Sequence, residues 1–359
     1  MITAVDVYDL RLPLAVPYGN SMGVLTHFTT LLAVLYDENG TCGVGEATPA
    51  QPGYQHESPE SIWQFLCDHA REALGLNAHE AIAAFRPFQK AYPFACTALI
   101  TAAEELSNLE LLQPPQQEMR FELVGIVNPP KGMPLEEHLE QRIAQGYRTL
   151  KVKIGFGVEQ DIQKVKRIAA CCAGRVKLRL DANQAYSFDD AVHLMRHVDP
   201  AEIELLEQPF DVDQWEQMQR LSRVATLPLM LDESIYGMEE VRRAGELGCA
   251  KYIKFKLMKS ASAADMAEQI QAARSYGIQP LIGNGVAADV GCYHETLIGA
   301  RCGVTAAGEQ NGYLKPTAGL FVQPLEFEQG QMVIPAGYRR ALNLLAIQAN
   351  CIHQARYTL

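Results

Sequence analysis

Seven polar or charged residues recur through the second half of the chain at intervals of 24 to 28 positions: Lys153, Asp181, Glu207, Asp232, Lys256, Asn284 and Glu309. Each stands at the end of a short apolar run. The three successive carboxylates, Asp181, Glu207 and Asp232, suit a hard divalent cation. Mg²⁺ takes oxygen ligands in near-octahedral geometry, and Mn²⁺ accepts the same donors. Without a cation, three converging like charges would repel strongly in a low-dielectric site. Lysines stand on both sides of the series. A lysine that takes a proton from carbon must be neutral when it acts, and burial, a neighbouring ammonium or a nearby cation each lower its pKa. In Thr149-Leu150-Lys151-Val152-Lys153-Ile154-Gly155 two lysines lie two residues apart, so a strand would aim both to one side. Lys151 is therefore expected to lower the pKa of Lys153 and to hold an anionic group of a substrate.

Gathering these residues around one space requires regular elements. Residues 121–128, 148–155, 176–184, 202–209, 227–234, 251–259, 278–285 and 304–311 read as eight buried strands, with amphipathic helical patterns between them. The interval fits one strand, one crossover helix and two loops. Eight such units close a (β/α)₈-type barrel, whose C-terminal strand ends share the mouth where active sites lie. Upstream, residues 2–14 and 29–46 read as antiparallel strands, with the turn Asp37-Glu38-Asn39-Gly40 inside the second stretch and residues 16–28 expected as a loop. Ser58 and Pro59 open a helix with the stripe Ile62, Phe65, Leu66, Ala70 and Ala73, and helical pattern continues to about Leu112, before Pro114-Pro115. The expected fold class is α/β: an α+β unit over residues 1–120, a barrel over 121–323, and a segment 324–359 that returns to the N-terminal unit.

Composition narrows the partners. The 359 residues are 48% hydrophobic and 20% charged, enough for a sizeable core. A net charge of −11 without a Lys/Arg cluster argues against nucleic acid. No apolar run reaches the roughly 18–20 residues that span a bilayer. The start, MITAVDVYDLRLPL, lacks the basic beginning and apolar core of a signal peptide. The nine cysteines form no Cys-x-x-Cys pair and read as small buried side chains in a reducing cytoplasm.

Lys151-Val152-Lys153, Asp181-Ala182-Asn183, Glu207-Gln208-Pro209, Asp232-Glu233-Ser234 and Lys256-Leu257-Met258-Lys259, in this order and spacing, resemble the enolase superfamily. Within it the match is to the muconate-lactonizing (muconate cycloisomerase) subgroup of the mandelate racemase/muconate lactonizing enzyme family. Lys or His bases working with Mg²⁺ are the general pattern of that superfamily. The resemblance spans nearly the whole chain. It implies a (β/α)₇β TIM-like barrel with an N-terminal capping domain, Gly45-Glu46 closing the hairpin of that domain. It implies Mg²⁺ held by Asp181, Glu207 and Asp232. The α-proton of a small carboxylate substrate is then abstracted through a metal-stabilised enolate, with Lys153 and Lys256 on opposite faces of that carbon. Asn183 and Glu233 would stand behind the metal ligands. Glu309 would bond the substrate carboxylate or enolate oxygens, with Asn284 lining the same mouth. Capping loops around Tyr18 to His27 and Gln51 to His56 would read the distal part of the substrate, Tyr18, His27, Tyr54 and His56 offering polar contacts. Homo-oligomers are common in the family, so one is expected here.

The sequence also departs from the pattern. Lys259-Ser260-Ala261-Ser262 stands where the subgroup often has Lys-x-Gly-Gly. Gly308-Glu309-Gln310-Asn311-Gly312 lacks the Asp-x-Asp of dipeptide epimerases, which weighs against a dipeptide substrate. Gly283-Asn284-Gly285 lacks the catalytic His of mandelate racemase-type enzymes. Lys254 shares a strand face with Lys256, and the motif alignment selects Lys256. The first capping loop, Tyr18-Gly19-Asn20-Ser21-Met22-Gly23, holds no cation, so a second substrate carboxylate needs a partner elsewhere, with Lys315 the candidate. The expected activity is a Mg²⁺-dependent isomerase: a racemase, epimerase or cycloisomerase. The runner-up is a lyase on the same site, a syn-dehydratase or an o-succinylbenzoate synthase type. A metal-independent Schiff-base aldolase leaves the carboxylates unexplained, and a non-catalytic acid-binding barrel gives the lysines no task.

Overall fold

The computed structural model describes residues 1–20, 23–49 and 57–359, without the side chains of residues 18–20, 23 and 24. The chain begins with strands β1 (Ile2–Asn20), β2 (Gly23–Asp37) and β3 (Cys42–Ala47), followed by helices α1 (Pro59–His69), α2 (Ala78–Phe85) and α3 (Pro93–Leu106). Ser58 caps α1, its hydroxyl accepting from Ser61 N at 3.2 Å. Pro93 opens α3, and the helical pattern expected to about Leu112 is carried by α1 to α3 and the short turns between and after them. Residues 16–28, expected as a loop, instead extend β1 and β2 into a hairpin arm. Tyr18 pairs with Leu25 and Asn20 with Gly23, after a register shift between Pro13 and Tyr18. Ladder hydrogen bonds to the facing strand override the weak strand preference of Gly and Asn there.

Strands β4 (Met119–Glu122) and β5 (Gly125–Ile126) lead into an alternation of helices and strands, with two successive helices between β10 and β11. It runs α4 (Leu135–Ala144), β6 (Thr149–Lys153), α5 (Val158–Cys172), β7 (Lys177–Asp181), α6 (Phe188–His197), β8 (Ile203–Glu207) and α7 (Trp215–Ser222). It continues with β9 (Leu229–Leu231), α8 (Met238–Leu247), β10 (Tyr252–Phe255), α9 (Leu257–Ser260), α10 (Ala263–Ser275), β11 (Gln279–Ile282) and α11 (Asp289–Arg301). The chain ends with β12 (Glu326–Glu328), β13 (Gln331–Ile334), α12 (Leu344–Asn350) and β14 (Cys351–Thr358). Strands β5 to β11 form one parallel sheet in sequence order. The eighth expected strand reduces to an isolated bridge of Gly308 to Leu123. On its other side Glu309 N donates to Ile282 O at 2.9 Å, so this short segment joins β11 to the start of the sheet and closes a (β/α)₇β barrel. Strand β10 stops at Phe255 rather than near residue 259, because Leu257–Ser260 coils into α9 with Lys256 at its N-cap.

Strands β14, β1, β2 and β3 form the antiparallel sheet of the cap, to which the C-terminal segment thus contributes an edge. Helices α1 to α3 cover this sheet around Val5, Leu31, Leu35, Phe65, Phe94 and Leu99. Gly45 is needed for that packing, since a Cβ at this position would lie 2.0 Å from Ala98 O. Gly45→Ala is expected to lower stability by about 1–3 kcal/mol through overpacking. Thermal unfolding reads this as a lower Tm, and an unchanged Tm would mean that β3 and α3 separate there without penalty. Buried carboxylates of the cap seat it on the barrel. Glu46 accepts from Ala288 N at 2.6 Å and Gly291 N at 2.7 Å, at the start of α11. Glu104 accepts from Ala263 N at 2.8 Å, at the start of α10. Helix N-termini favour such anions. Among the described residues, no helix is long and apolar enough to cross a membrane.

Candidate active site

The strand order sets out the site. Going round the barrel from β6 to β10, the strand ends present Lys153, Asp181, Glu207, Asp232 and Lys256. The two lysines therefore flank the three carboxylates. Lys153 Nζ lies 2.6 Å from Asp181 Oδ2 and 2.5 Å from Asn183 Oδ1. Lys256 Nζ lies 2.8 Å from Asp232 Oδ2. All three acids are buried, as is Lys256, whereas 40% of the Lys153 side chain is accessible.

Two further lysines stand among the acids. Lys151 Nζ lies 2.9 Å from Asp181, 3.1 Å from Glu207 and 2.9 Å from Glu309. Lys254 Nζ contacts Glu207 and lies 2.9 Å from Glu309 and 3.3 Å from Asp232. Gly283 makes room for these stems, because a Cβ there would meet Lys254 Cγ at 2.6 Å and Lys256 Cγ at 2.8 Å. Lys259, from α9, donates to Asp232 O at 2.6 Å and to Oδ1 at 3.0 Å. Burial opposes the charge of Lys151, but Asp181, Glu207 and Glu309 outweigh it and hold its ammonium well above the usual lysine value. Lys151 is thus a counter-ion to three carboxylates in this structure. Burial also opposes ionisation of Asp181 and Asp232, and their lysine neighbours more than offset it, keeping both well below the carboxylate range. Glu207 goes the other way: burial and Asp181 push it up to about 8.

Among the described residues, no group of three or more His, Cys, Asp or Glu side chains has metal-holding geometry. The ammonium groups of Lys151 and Lys254 stand between acids that were expected to meet around one ion. The donor set still fits a hard divalent cation. It consists of carboxylate oxygens, and the buried Glu207 Oε2 accepts no hydrogen bond even with Lys151 at 3.1 Å. An ion held by Asp181, Glu207 and Asp232 would supply the charge compensation that Lys151 and Lys254 provide in this structure.

Neighbouring residues hold these groups in place. Asn183, at φ +42°, donates its backbone N–H to Asp181 Oδ1 at 3.0 Å and its side-chain amide to Glu233 Oε1 at 2.9 Å. Gln208 ties two strand ends together: its Oε1 accepts from Asp232 N at 2.9 Å and its Nε2 donates to Ser234 Oγ at 2.8 Å. In the sequence it stood only as the middle residue of Glu207-Gln208-Pro209, with no role of its own. Asn284, expected at the substrate, is engaged elsewhere: its amide donates to Glu295 at 2.8 Å and its oxygen accepts from Ala287 N at 2.9 Å. His27 lies in β2 opposite Pro13, its Nδ1 2.8 Å from Thr26 Oγ1. The Tyr18 side chain, Tyr54 and His56 lie outside the described residues. Lys315 sits at the seam of cap and barrel, its ammonium 5.5 Å from the Phe28 ring centre and its carbonyl accepting from Ala15 N at 2.9 Å.

The chain is similar to known proteins. Residues 134–338 match the family described as Enolase C-terminal domain-like. The o-succinylbenzoate synthase of Geobacillus stearothermophilus is 30% identical over 267 residues, covering 71% of this chain and 70% of that protein. The N-succinylamino acid racemase of Thermus thermophilus is 28% identical and covers 94% of this chain and 93% of its own. Among solved structures, the dipeptide epimerase of Cytophaga hutchinsonii, complexed with Mg and the dipeptide D-Ala-L-Val, has a TM-score of 0.89 at 18% identity over 99% of both chains. This chain belongs to the enolase superfamily and is one of its enzymes.

Proposed function

We propose that the chain is a divalent-metal-dependent racemase or epimerase of the muconate-lactonizing subgroup, acting on an N-acylated α-amino acid. The observation that carries this reading is the placement of Lys153 and Lys256 on opposite flanks of the carboxylate series, each within 2.8 Å of the outer acid on its own side. One lysine removes the α-proton and the other delivers a proton to the opposite face, which inverts the centre. A Mg²⁺ or Mn²⁺ ion held by Asp181, Glu207 and Asp232 supplies stabilisation for the negative charge that develops as the proton leaves. Lys151, Lys254 and Glu309 balance charge around those acids, while Asn183, Glu233 and Gln208 hold the strand ends. The substrate class follows the N-succinylamino acid racemase from Thermus thermophilus. The dipeptide alternative follows the hydrophobic dipeptide epimerase of Enterococcus faecalis, although Gly308-Glu309-Gln310 lacks the Asp-x-Asp expected of a dipeptide epimerase. Elimination by a single lysine is the second reading, favoured by the 30% identity to an o-succinylbenzoate synthase. A homo-oligomer working in the cytoplasm completes the proposal.

The test is incubation in D₂O with Mg²⁺ and a panel of N-succinyl and N-acetyl amino acids, dipeptides and hydroxy acids. Mass spectrometry then reads deuterium at the α-carbon. Incorporation with loss of optical activity supports the racemase, release of water from a hydroxy acid supports the lyase, and no exchange across the panel contradicts both. A succinyl carboxylate is expected to be met by Lys315. Lys315→Met should then raise KM for an N-succinyl substrate about 10-fold or more, as for loss of a charged hydrogen bond, and leave that for its N-acetyl counterpart nearly unchanged. Equal changes for the two substrates would remove Lys315 from the distal contact.

A further inference from the structure

Each of the two lysines is followed by a turn that a buried acid from a neighbouring helix holds in place. After Lys153, Asp161 of α5 accepts through one oxygen, Oδ2, from Gly155 N at 2.8 Å, Phe156 N at 3.1 Å and Gly157 N at 3.3 Å. The same oxygen accepts from the Tyr186 hydroxyl at 2.8 Å. Lys164, further along α5, donates to Lys153 O at 2.8 Å. Gly155 at φ +97° and Gly157 at φ +141° allow three successive N–H groups to converge on one carboxylate. The turn is also close to its neighbour, since a Cβ on Gly155 would meet Ala182 O at 2.8 Å.

After Lys256 a different acid does the equivalent work. Glu295 of α11 accepts from Leu257 N, the residue next to Lys256, at 3.1 Å. Its other oxygen accepts from Asn284 Nδ2 at 2.8 Å, and Asn284 Oδ1 accepts from Ala287 N at 2.9 Å. The ends of β10 and β11 are thereby linked through one side chain. Asp161 is 1% exposed and Glu295 2%, so water cannot readily replace either set of bonds. The two acids draw on different partners, and the carboxylate-bearing ends of β7, β8 and β9 lie between their sectors of the barrel.

We propose that Asp161 with Tyr186, and Glu295 with Asn284, are two separate positioning devices, one for Lys153 and one for Lys256. Each sets proton transfer on one face of the substrate. The proposal rests on the two-base reading above. A lysine amine displaced by about 1 Å loses on the order of 100-fold in rate. Loosening one turn moves one amine and leaves the other where it was.

The test follows deuterium incorporation in D₂O from each enantiomer of an N-acylamino acid separately, before racemisation mixes them. Lys153→Ala and Lys256→Ala first identify the enantiomer that each lysine serves. Glu295→Gln should then slow exchange of the Lys256-dependent enantiomer about 10- to 100-fold and the other by less than about 3-fold. Tyr186→Phe should produce the reverse selectivity. Should Glu295→Gln fail to fold, Asn284→Ala opens the same turn and gives the same readout. A merely structural role would slow both enantiomers together, and that result, or no slowing in any variant, overturns the proposal. If the lysine variants themselves show no enantiomer selectivity, the two-base reading fails instead.

Discussion

Lys256→Ala is expected to lower racemisation of an N-acylamino acid by about 10³-fold or more, within the range of a lost general acid–base group. The loss should fall on kcat, with KM little changed. Removing this side chain deletes one of three lysine contacts to Asp232, and Lys254 at 3.3 Å and Lys259 at 3.0 Å remain. The acid stays compensated, so the metal site and the fold should persist. Lys153→Ala leaves Asp181 with Lys151 at 2.9 Å and should behave in the same way. Polarimetry at saturating substrate, with circular dichroism to verify folding, measures both variants. Racemisation within tenfold of the parent in either one would exclude that lysine as a base.

Removal of divalent ions should have an effect of similar size. Turnover is expected to fall by about 10³-fold or more in EDTA, the equivalent of several kcal/mol of transition-state stabilisation, and to return with Mg²⁺ or Mn²⁺. Taking a proton from the carbon next to a carboxylate adds negative charge close to Asp181, Glu207 and Asp232. Lys151 and Lys254 offer little relief, being already engaged with those acids and with Glu309. Glu207→Gln should keep activity low even at high Mg²⁺, because it removes the central carboxylate of the series. Full turnover in EDTA, with a borohydride-trapped carbonyl adduct on a lysine, would move the protein to Schiff-base chemistry.

The periodic part of this molecule was readable because a barrel unit has a nearly constant length. Lys153, Asp181, Glu207 and Asp232 could be placed on adjacent strand ends from their spacing, whereas choosing Lys256 over Lys254 took the motif that follows it. What spacing does not carry is the partner of each group. Lys151 and Lys254 have the strand positions of mouth-lining residues, yet the depth at which they sit turns them into counter-ions. Lys254 and Lys256 share a strand face and both reach Asp232, but Lys254 also reaches Glu207 and Glu309. The eighth strand was over-read because Gly308 and Glu309 pair through isolated backbone bonds, which leave no pattern in side-chain type. The arm at 16–28 was under-read because glycine and asparagine score as loop wherever the facing strand is not known. Glu295 had a usable signal: it is an acid within Asp289–Arg301, a helix buried on nearly every side, where a charged residue needs a dedicated partner. Asp161 had none, since an acid in the first turn of a helix ordinarily faces water.

The measurement that bears most directly on the central claim is a crystal structure with Mg²⁺ and an N-acylamino acid bound. The account predicts one ion on the carboxylates of Asp181, Glu207 and Asp232, with the Lys153 and Lys256 amines on opposite sides of the α-carbon. An ion bound elsewhere, or both amines on the same side of that carbon, would contradict it.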